Sequence, residues 1–248
     1  MDFNIVIPSH ERFNQIQNKT LSLLKKHNIP MDKVFIFVSP ESYDEYLEIQ
    51  DVNLVLSKNT ITDTRNHIIE YFDEDTKIIE LDDDVEDIID FSTDKSVENL
   101  NDLFIDNFNL FENTQGGLWG FIANTNKYYV KSFDDKYGLY SIINSCLGYI
   151  NKKDCNLSVP EKEDFERCLY FYKNKLPIIK RCRYGIKTKY WTNKGGIQDR
   201  YDKEKRKEVQ NISANLLLEN HSDCCYGKTR PNGIIDIRFR SRDPLKLL

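Results

Sequence analysis

KIIELDDDVEDII, residues 77–89, is the stretch on which the fold turns. A short apolar run ends in three consecutive aspartates, Asp82, Asp83 and Asp84, and an apolar pattern then resumes. Residues 78–81 read as a strand that the aspartates close. Working back toward the start, NIVIP (4–8) reads as a buried strand stopped by proline, with polar SHER opening a loop. A helical pattern over 14–26 puts Ile16, Thr20, Leu23 and Leu24 on one face. VFIFVS (34–39) and VNLVLS (52–57) are two more strands, and NTITDTRN leads into a helix through Tyr71. Short apolar strands alternating with helices imply a parallel sheet covered on both faces. Such sheets bind ligands at the carboxyl ends of their strands. Residues 9–12, the loop before Arg65 and residues 82–84 all fall at that edge.

The second half is less regular. Helices are expected over 97–111, 163–173 and 203–220, and strands in GGLWGFIANTN (116–126), in 139–150 and in IIDIRF (234–239). No repeat or low-complexity linker divides the chain, so one domain over 1–248 is expected, with an elaborated second half. At 248 residues, 40% hydrophobic and 30% charged, the chain is long enough for a substantial core. No stretch approaches the roughly 18–20 apolar residues of a membrane span, and no signal peptide is visible, so a cytoplasmic address is expected, that of the host if the protein is viral. The six scattered cysteines are expected to be reduced, because Cys224 and Cys225 lack the second pair of a zinc site.

Charge is strongly polarised. Residues 70–106 carry 15 acidic and two basic side chains, while 173–207 carry 13 basic and three acidic. The basic half suits an anionic partner, or is a solvated surface. Tyr184, Tyr190 and Trp191 interleave with Arg181, Arg183, Lys187 and Lys189, a mixture that could grip a nucleic-acid backbone or line a core.

Three adjacent carboxylates repel one another unless a cation intervenes. Mg2+ or Mn2+ takes oxygen ligands and leaves positions for water and phosphate. In extended backbone Asp82 and Asp84 face one side and Asp83 the other. An acidic solvent loop is the plain alternative.

Together IVIPSHER, TDTRNHIIEYF, IIELDDDVEDI and KEDFERCL resemble the GT-A fold glycosyltransferases that use nucleotide sugars. More narrowly, they resemble the small phage and viral enzymes associated with TET/JBP base oxidation. The resemblance implies a three-layer α/β fold with a central, mostly parallel sheet. It implies a nucleotide-sugar-binding half over 1–90 and an acceptor-binding, catalytic half over 91–248. It also implies Mn2+ or Mg2+ and a nucleoside diphosphate sugar, UDP-linked glucose or a related hexose. The implied acceptor is hydroxymethylpyrimidine in DNA, with protein or glycan hydroxyls as alternatives and no membrane partner.

Carried over, Pro8, Ser9 and Arg12 match the first nucleotide-binding loop, although Ser9 could simply cap a turn. Arg65 and Asn66 match the floor of the donor pocket. Arg65 could pair with phosphate or hold the aspartates, and Asn66 could bind ribose or base, or bond locally. Asp82 and Asp84 match the metal-binding DxD positions, with Asp84 the preferred direct ligand, and Asp83 would contact sugar or backbone. Asp164, with Glu163 as the near alternative, matches the base that deprotonates the acceptor, although acidic residues also favour first helical turns. His221 is a loose match to a third metal ligand, and Lys194 lies in a basic glycine loop that could close over diphosphate. Glu86 and Asp87 are read as helix-start or surface residues. Attack on either face of the sugar stays open. A nucleotidyltransferase would want an early phosphate loop in place of PSHER, and a DNA-binding module would leave the shared edge of PSHER, TRN and DDD unexplained.

Overall fold

The structure, a computed structural model, describes residues 2–130, 132–188 and 202–240. The first four strands form as the apolar runs require: β1 (Asn4–Ser9), β2 (Val34–Val38), β3 (Asn53–Leu56) and β4 (Lys77–Leu81). They lie in the order β3-β2-β1-β4, all parallel, and each connection carries helical turns. The sheet continues through β9 (Cys146–Ile150), β7 (Leu118–Ile122), β10 (Ile178–Lys187), β5 (Asp87–Asp90) and β6 (Lys95–Ser96), with β8 (Lys136–Tyr137) also paired to β10. β9 and β5 run antiparallel to their neighbours. The result is a ten-stranded mixed sheet, and a separate hairpin joins β11 (Cys225–Thr229) to β12 (Ile235–Phe239).

Alternation along the strands creates two cores, one on each face. Ile5 and Ile7 of β1 and Ile79 and Leu81 of β4 pack under the helical segment from Phe13 to Lys26 and the Leu100–Asn109 helix. Val6 and Ile78 point the other way, toward the Ile61–Tyr71, Glu163–Lys173 and Lys203–Asn220 helices. Three layers follow from this, helices on both sides of a sheet. All six cysteines are buried and unpaired, as a chain of this size permits. No helix among the described residues is long and apolar enough to cross a membrane.

Two segments depart from expectation. Residues 87–90 are a strand, so Asp87 is neither helix start nor plain surface: its carboxylate accepts from the Ser96 hydroxyl and the Ile88 amide. The basic tract after Pro177 is also a strand, ten residues long, and uses much of its charge internally. Arg183 donates from Nε and Nη2 to both oxygens of Asp90, holding that carboxyl down to about 2. Arg181 pairs with Asp135 at 2.8 Å and donates to Asn107, while Tyr184 packs 5.3 Å from the Phe121 ring. This part of the tract is sheet, not a free cationic grip. Tyr190, Trp191, Lys189 and Lys194 lie outside the described residues.

Close packing at the sheet centre leaves no room on Gly148, where an added Cβ would stand 2.3 Å from the buried Trp119 ring. Gly148→Ala should therefore lower stability by about 1–3 kcal/mol, read as a drop in the urea midpoint at unchanged slope.

Candidate active site

At the carboxyl ends of the parallel strands the connecting loops enclose a cavity of about 400 Å³. Its wall includes Pro8, Ser9 and Arg12 from the β1 loop, Arg65 from the first turns of its helix, and Asp82, Asp83 and Asp84 beyond β4. Glu163 and Asp164, at the start of the second-half helix, line it as well. Segments far apart in sequence meet here because parallel strands deliver their ends to one edge.

The three aspartates do different work. Asp83 is buried and saturated: Ser9 Oγ donates to one oxygen at 2.7 Å and Arg12 Nη1 to the other at 2.9 Å. Ser9 is in turn 2.6 Å from the Tyr46 hydroxyl, which accepts from the Arg12 amide. Burial pushes the Asp83 carboxyl up, while Arg12 and Ser9 pull it down. Asp83 is thus the anchor of the turn. Asp84 Oδ2 lies 3.7 Å from the same Arg12. Asp82 is open to the cavity over 37% of its side chain, with Arg65 Nη2 at 3.9 Å. Its recessed position raises its carboxyl to about 7, with Arg65 opposing and Asp84 and Asp83 adding to the rise. Thr20 fixes the turn's backbone, donating to the Asp82 carbonyl and accepting from the Val85 amide. It sits in a π-helical turn, Gln17–Leu21.

Beneath Asp82 lies a cluster that the sequence reading passed over. Glu80, wholly buried in β4, meets Arg65 on one oxygen and Arg167 Nη1 at 2.9 Å on the other. Arg65 Nε also lies 3.1 Å from Glu163, which accepts from Asn144 Nδ2, and the Arg167 guanidinium lies over the Tyr149 ring. Burial pushes the Arg65 guanidinium down, countered first by Glu163. A charged residue inside the apolar run 78–81 was the available signal. Arg65 therefore holds the carboxylates, the second of its two readings, while still facing the cavity.

Asp164 is half-buried and lines the cavity, with one oxygen accepting from the Phe165 amide. Burial, then the neighbouring Glu163, raise its carboxyl to about 7. Such a group exchanges a proton near neutral pH, whereas Glu163 is tied to Arg65 and Asn144. Lys162 and Arg206 also line the cavity and were not anticipated as site residues.

Two residues are not brought to the site. Asn66 spends its amide on Leu157, donating to its carbonyl at 2.8 Å and accepting from its N–H at 2.9 Å. One residue beyond Arg65 is about 100° around the helix, so Asn66 faces away from the cavity wall. His221 ends the Lys203–Asn220 helix fifteen residues after the cavity-lining Arg206, about 22 Å along the axis, near Lys173 and Asp223.

No group of three or more metal-ligating side chains occurs among the described residues. Asp82, open to the cavity, and Asp84, buried beside Arg12, instead bring two hard carboxylate donors to the cavity wall. This fits Mg2+ or Mn2+, which bind through one or two carboxylates and complete their shells with water and phosphate oxygens.

No family model matches the sequence, and no curated protein matches it. Solved structures do share the fold. TarS from S. aureus aligns at a TM-score of 0.50 and 14% identity, over 88% of this chain and 40% of that one. Glucosyl-3-phosphoglycerate synthase from Mycobacterium tuberculosis aligns at 0.51 and 11% identity, over 99% of this chain and 88% of that one. This chain thus spans less than half the length of TarS and most of the synthase. The likeness is one of fold: a three-layer α/β, GT-A-like architecture around a mixed sheet.

Glu80→Gln would leave two buried guanidiniums sharing a neutral amide. It should lower stability by about 3–5 kcal/mol in urea unfolding, the scale for breaking a buried ion pair.

Proposed function

We propose that this chain is a metal-dependent glycosyltransferase that moves a sugar from a nucleoside diphosphate sugar to an acceptor hydroxyl. The observation that carries the reading is the meeting of two kinds of carboxylate in one cavity: the Asp82–Asp84 pair, and Asp164 with its proton affinity near neutral. Asp82 and Asp84 would hold the divalent cation, which supplies positive charge against the departing diphosphate. Asp83, pinned by Ser9 and Arg12, holds the turn in place, and Arg65 orients Asp82 and Glu163.

Asp164 takes the proton of the acceptor hydroxyl as its oxygen attacks the anomeric carbon. The new C–O bond forms as the bond to the diphosphate breaks, and the nucleoside diphosphate leaves with that electron pair. Direct displacement inverts the anomeric centre. The synthase of like fold was solved with Mn2+ and UDP, which supports UDP-linked glucose or a related hexose as the first donor to try. For the acceptor, hydroxymethylpyrimidine in DNA rests on the sequence resemblance. The internal pairing of Arg181 and Arg183 weakens the basic-tract grip that accompanied it.

The test incubates the full chain with Mn2+ and a panel of nucleotide sugars, with hydroxymethylated DNA, peptide and glycan acceptors, and follows nucleoside diphosphate release and sugar transfer. Transfer is expected with at least one donor, and Asp84→Ala should abolish it. Full activity of that variant would remove Asp84 from the metal site, and no donor turnover with any acceptor would reject the glycosyltransferase reading.

Because the Asp164 base must be ionised, kcat/KM should rise with pH through an inflection near 7. Asp164→Asn should lower kcat about 10²–10⁴-fold and remove the inflection.

A further inference from the structure

The chain just ahead of Asp164, residues 157–161, has no strand or helix of its own, yet each of its residues is hydrogen-bonded to a side chain of a helix. Asn66 brackets Leu157, bonding both its carbonyl and its N–H. Glu166 accepts from the Ser158 amide at 2.7 Å, the Ser158 hydroxyl at 2.5 Å and the Val159 amide at 3.1 Å. Thr62 Oγ1 donates to the Val159 carbonyl at 2.7 Å, with the Pro160 carbonyl at 3.3 Å. Ser213 Oγ accepts from the Glu161 amide at 3.0 Å. Irregular backbone has polar groups that no ladder satisfies, and three helices supply the partners here.

This strap runs into Lys162, whose φ of 67° is left-handed. Such a conformation is unfavourable outside glycine and persists where the surroundings hold it. The Lys162 carbonyl then accepts from the Phe165 and Glu166 amides at 3.0 and 3.4 Å, so the helix that carries Asp164 starts from this held residue.

Thr62 and Asn66 stand one turn apart on the helix that also carries Arg65. Arg65 reaches Glu163 at 3.1 Å and approaches Asp82 at 3.9 Å. One helix is therefore bonded both to the carboxylates of the cavity and to the strap that leads to Asp164. Neither Thr62 nor Asn66 is among the described residues that line the cavity, so an effect of either on the chemistry has to pass through the strap.

We propose that Thr62 and Asn66 are positioning residues for Asp164: by fastening the strap to the Arg65 helix, they hold that carboxylate in a fixed place relative to Asp82 and Asp84 without touching either substrate. The inference rests on the glycosyltransferase reading for the role of Asp164. It gives Asn66 a part in the reaction other than the ribose or base contact that the resemblance implies.

The charged groups acting on Asp164 are Glu163 and Lys162 from its own segment and Arg65 from the neighbouring helix, with the Cys168 thiol one turn on. None of these changes in a Thr62 or Asn66 variant. A loosened strap admits water to the Asp164 carboxyl, which favours its charged form and brings its proton affinity down toward the ordinary carboxylate range.

The experiment uses the full chain with Mn2+ and a donor and acceptor that it turns over. Thr62→Val and Asn66→Leu should each lower kcat about 5–50-fold and leave the donor KM and the Mn2+ affinity within about two-fold. The pH inflection near 7 should move to lower pH in both variants. Thr62→Ser, which keeps the hydroxyl, should restore kcat and the inflection. Lower stability in urea with kcat and inflection unchanged overturns the proposal, as does a raised donor KM at unchanged kcat. If Thr62→Val does not fold, Asn66→Leu decides on the same readouts. A second readout needs no turnover: the Asp164 carboxyl is titrated by NMR in chain labelled at its aspartate carboxyls and assigned by its loss in Asp164→Asn. Thr62→Val should lower that midpoint and Thr62→Ser should keep it, and an unchanged midpoint in Thr62→Val overturns the proposal. A lowered midpoint in a chain that turns over no donor sinks the parent reading and leaves the hold of the strap on Asp164 standing.

Discussion

A single buried carboxylate, Glu80, stands between two guanidiniums at the centre of the sheet, and the site is built on top of it. Withdrawing these charges from water is unfavourable, and the desolvation is offset only if every charged edge finds a partner. The chain goes part of the way by bringing Arg65 from one helix and Arg167 from another onto the two oxygens of one strand residue, while Arg167 Nε and Nη2 stay buried with no hydrogen-bond partner among the described residues. That requirement sets where both helices sit on the sheet. Because Arg65 also reaches Glu163 and approaches Asp82, the ion pairs that locate the helices also aim the carboxylates. Packing of the layer and geometry of the cavity are therefore one problem with one solution.

β4 ends at Leu81, and a turn at Asp83 and Asp84, in place of the extended backbone expected there, divides the acids above it. Glu80 and Asp82 lie on the same side of β4 and its extension, one satisfied in the interior and the other at the cavity. Asp83 is turned toward the β1 loop, where Ser9 and Arg12 receive it. Three consecutive aspartates would repel one another on a uniform surface. Here one is neutralised by protein donors, which leaves a pair whose remaining repulsion a cation would relieve.

The first half of the fold was legible because β1, β2 and β4 are buried on both faces and so read as apolar runs with turn residues between them. The strand at 178–187 was not, since Lys180, Arg181, Arg183 and Lys187 imitate a solvated tract. Their partners, Asp90, Asp135 and Asn107, are distant in sequence and invisible without the fold. The same limit governs the site. Spacing placed the PSHER loop, the loop before Arg65 and the aspartates at one edge, and the family resemblance added Asp164, yet neither could show where neighbouring side chains point. Asn66 turns about the helix to bracket Leu157, and His221 is carried to the remote end of a long helix. Glu80 and Lys162 went unremarked because a lone charge in a strand and a lone lysine before a helix look ordinary until their surroundings are known.

The π-helical turn at Gln17–Leu21 has a consequence for how this chain could change. A π turn holds one residue more than regular winding allows, and here that surplus sets Thr20 beneath the aspartates, bonded to the Asp82 carbonyl and the Val85 amide. Removing one residue would let the helix wind regularly and gain local stability, while rotating the threonine out from under the turn. Selection for a sturdier helix and selection for a fixed aspartate turn therefore pull in opposite directions at this point. The irregularity marks a trade between a regular helix and a fixed aspartate turn, settled here in favour of the turn.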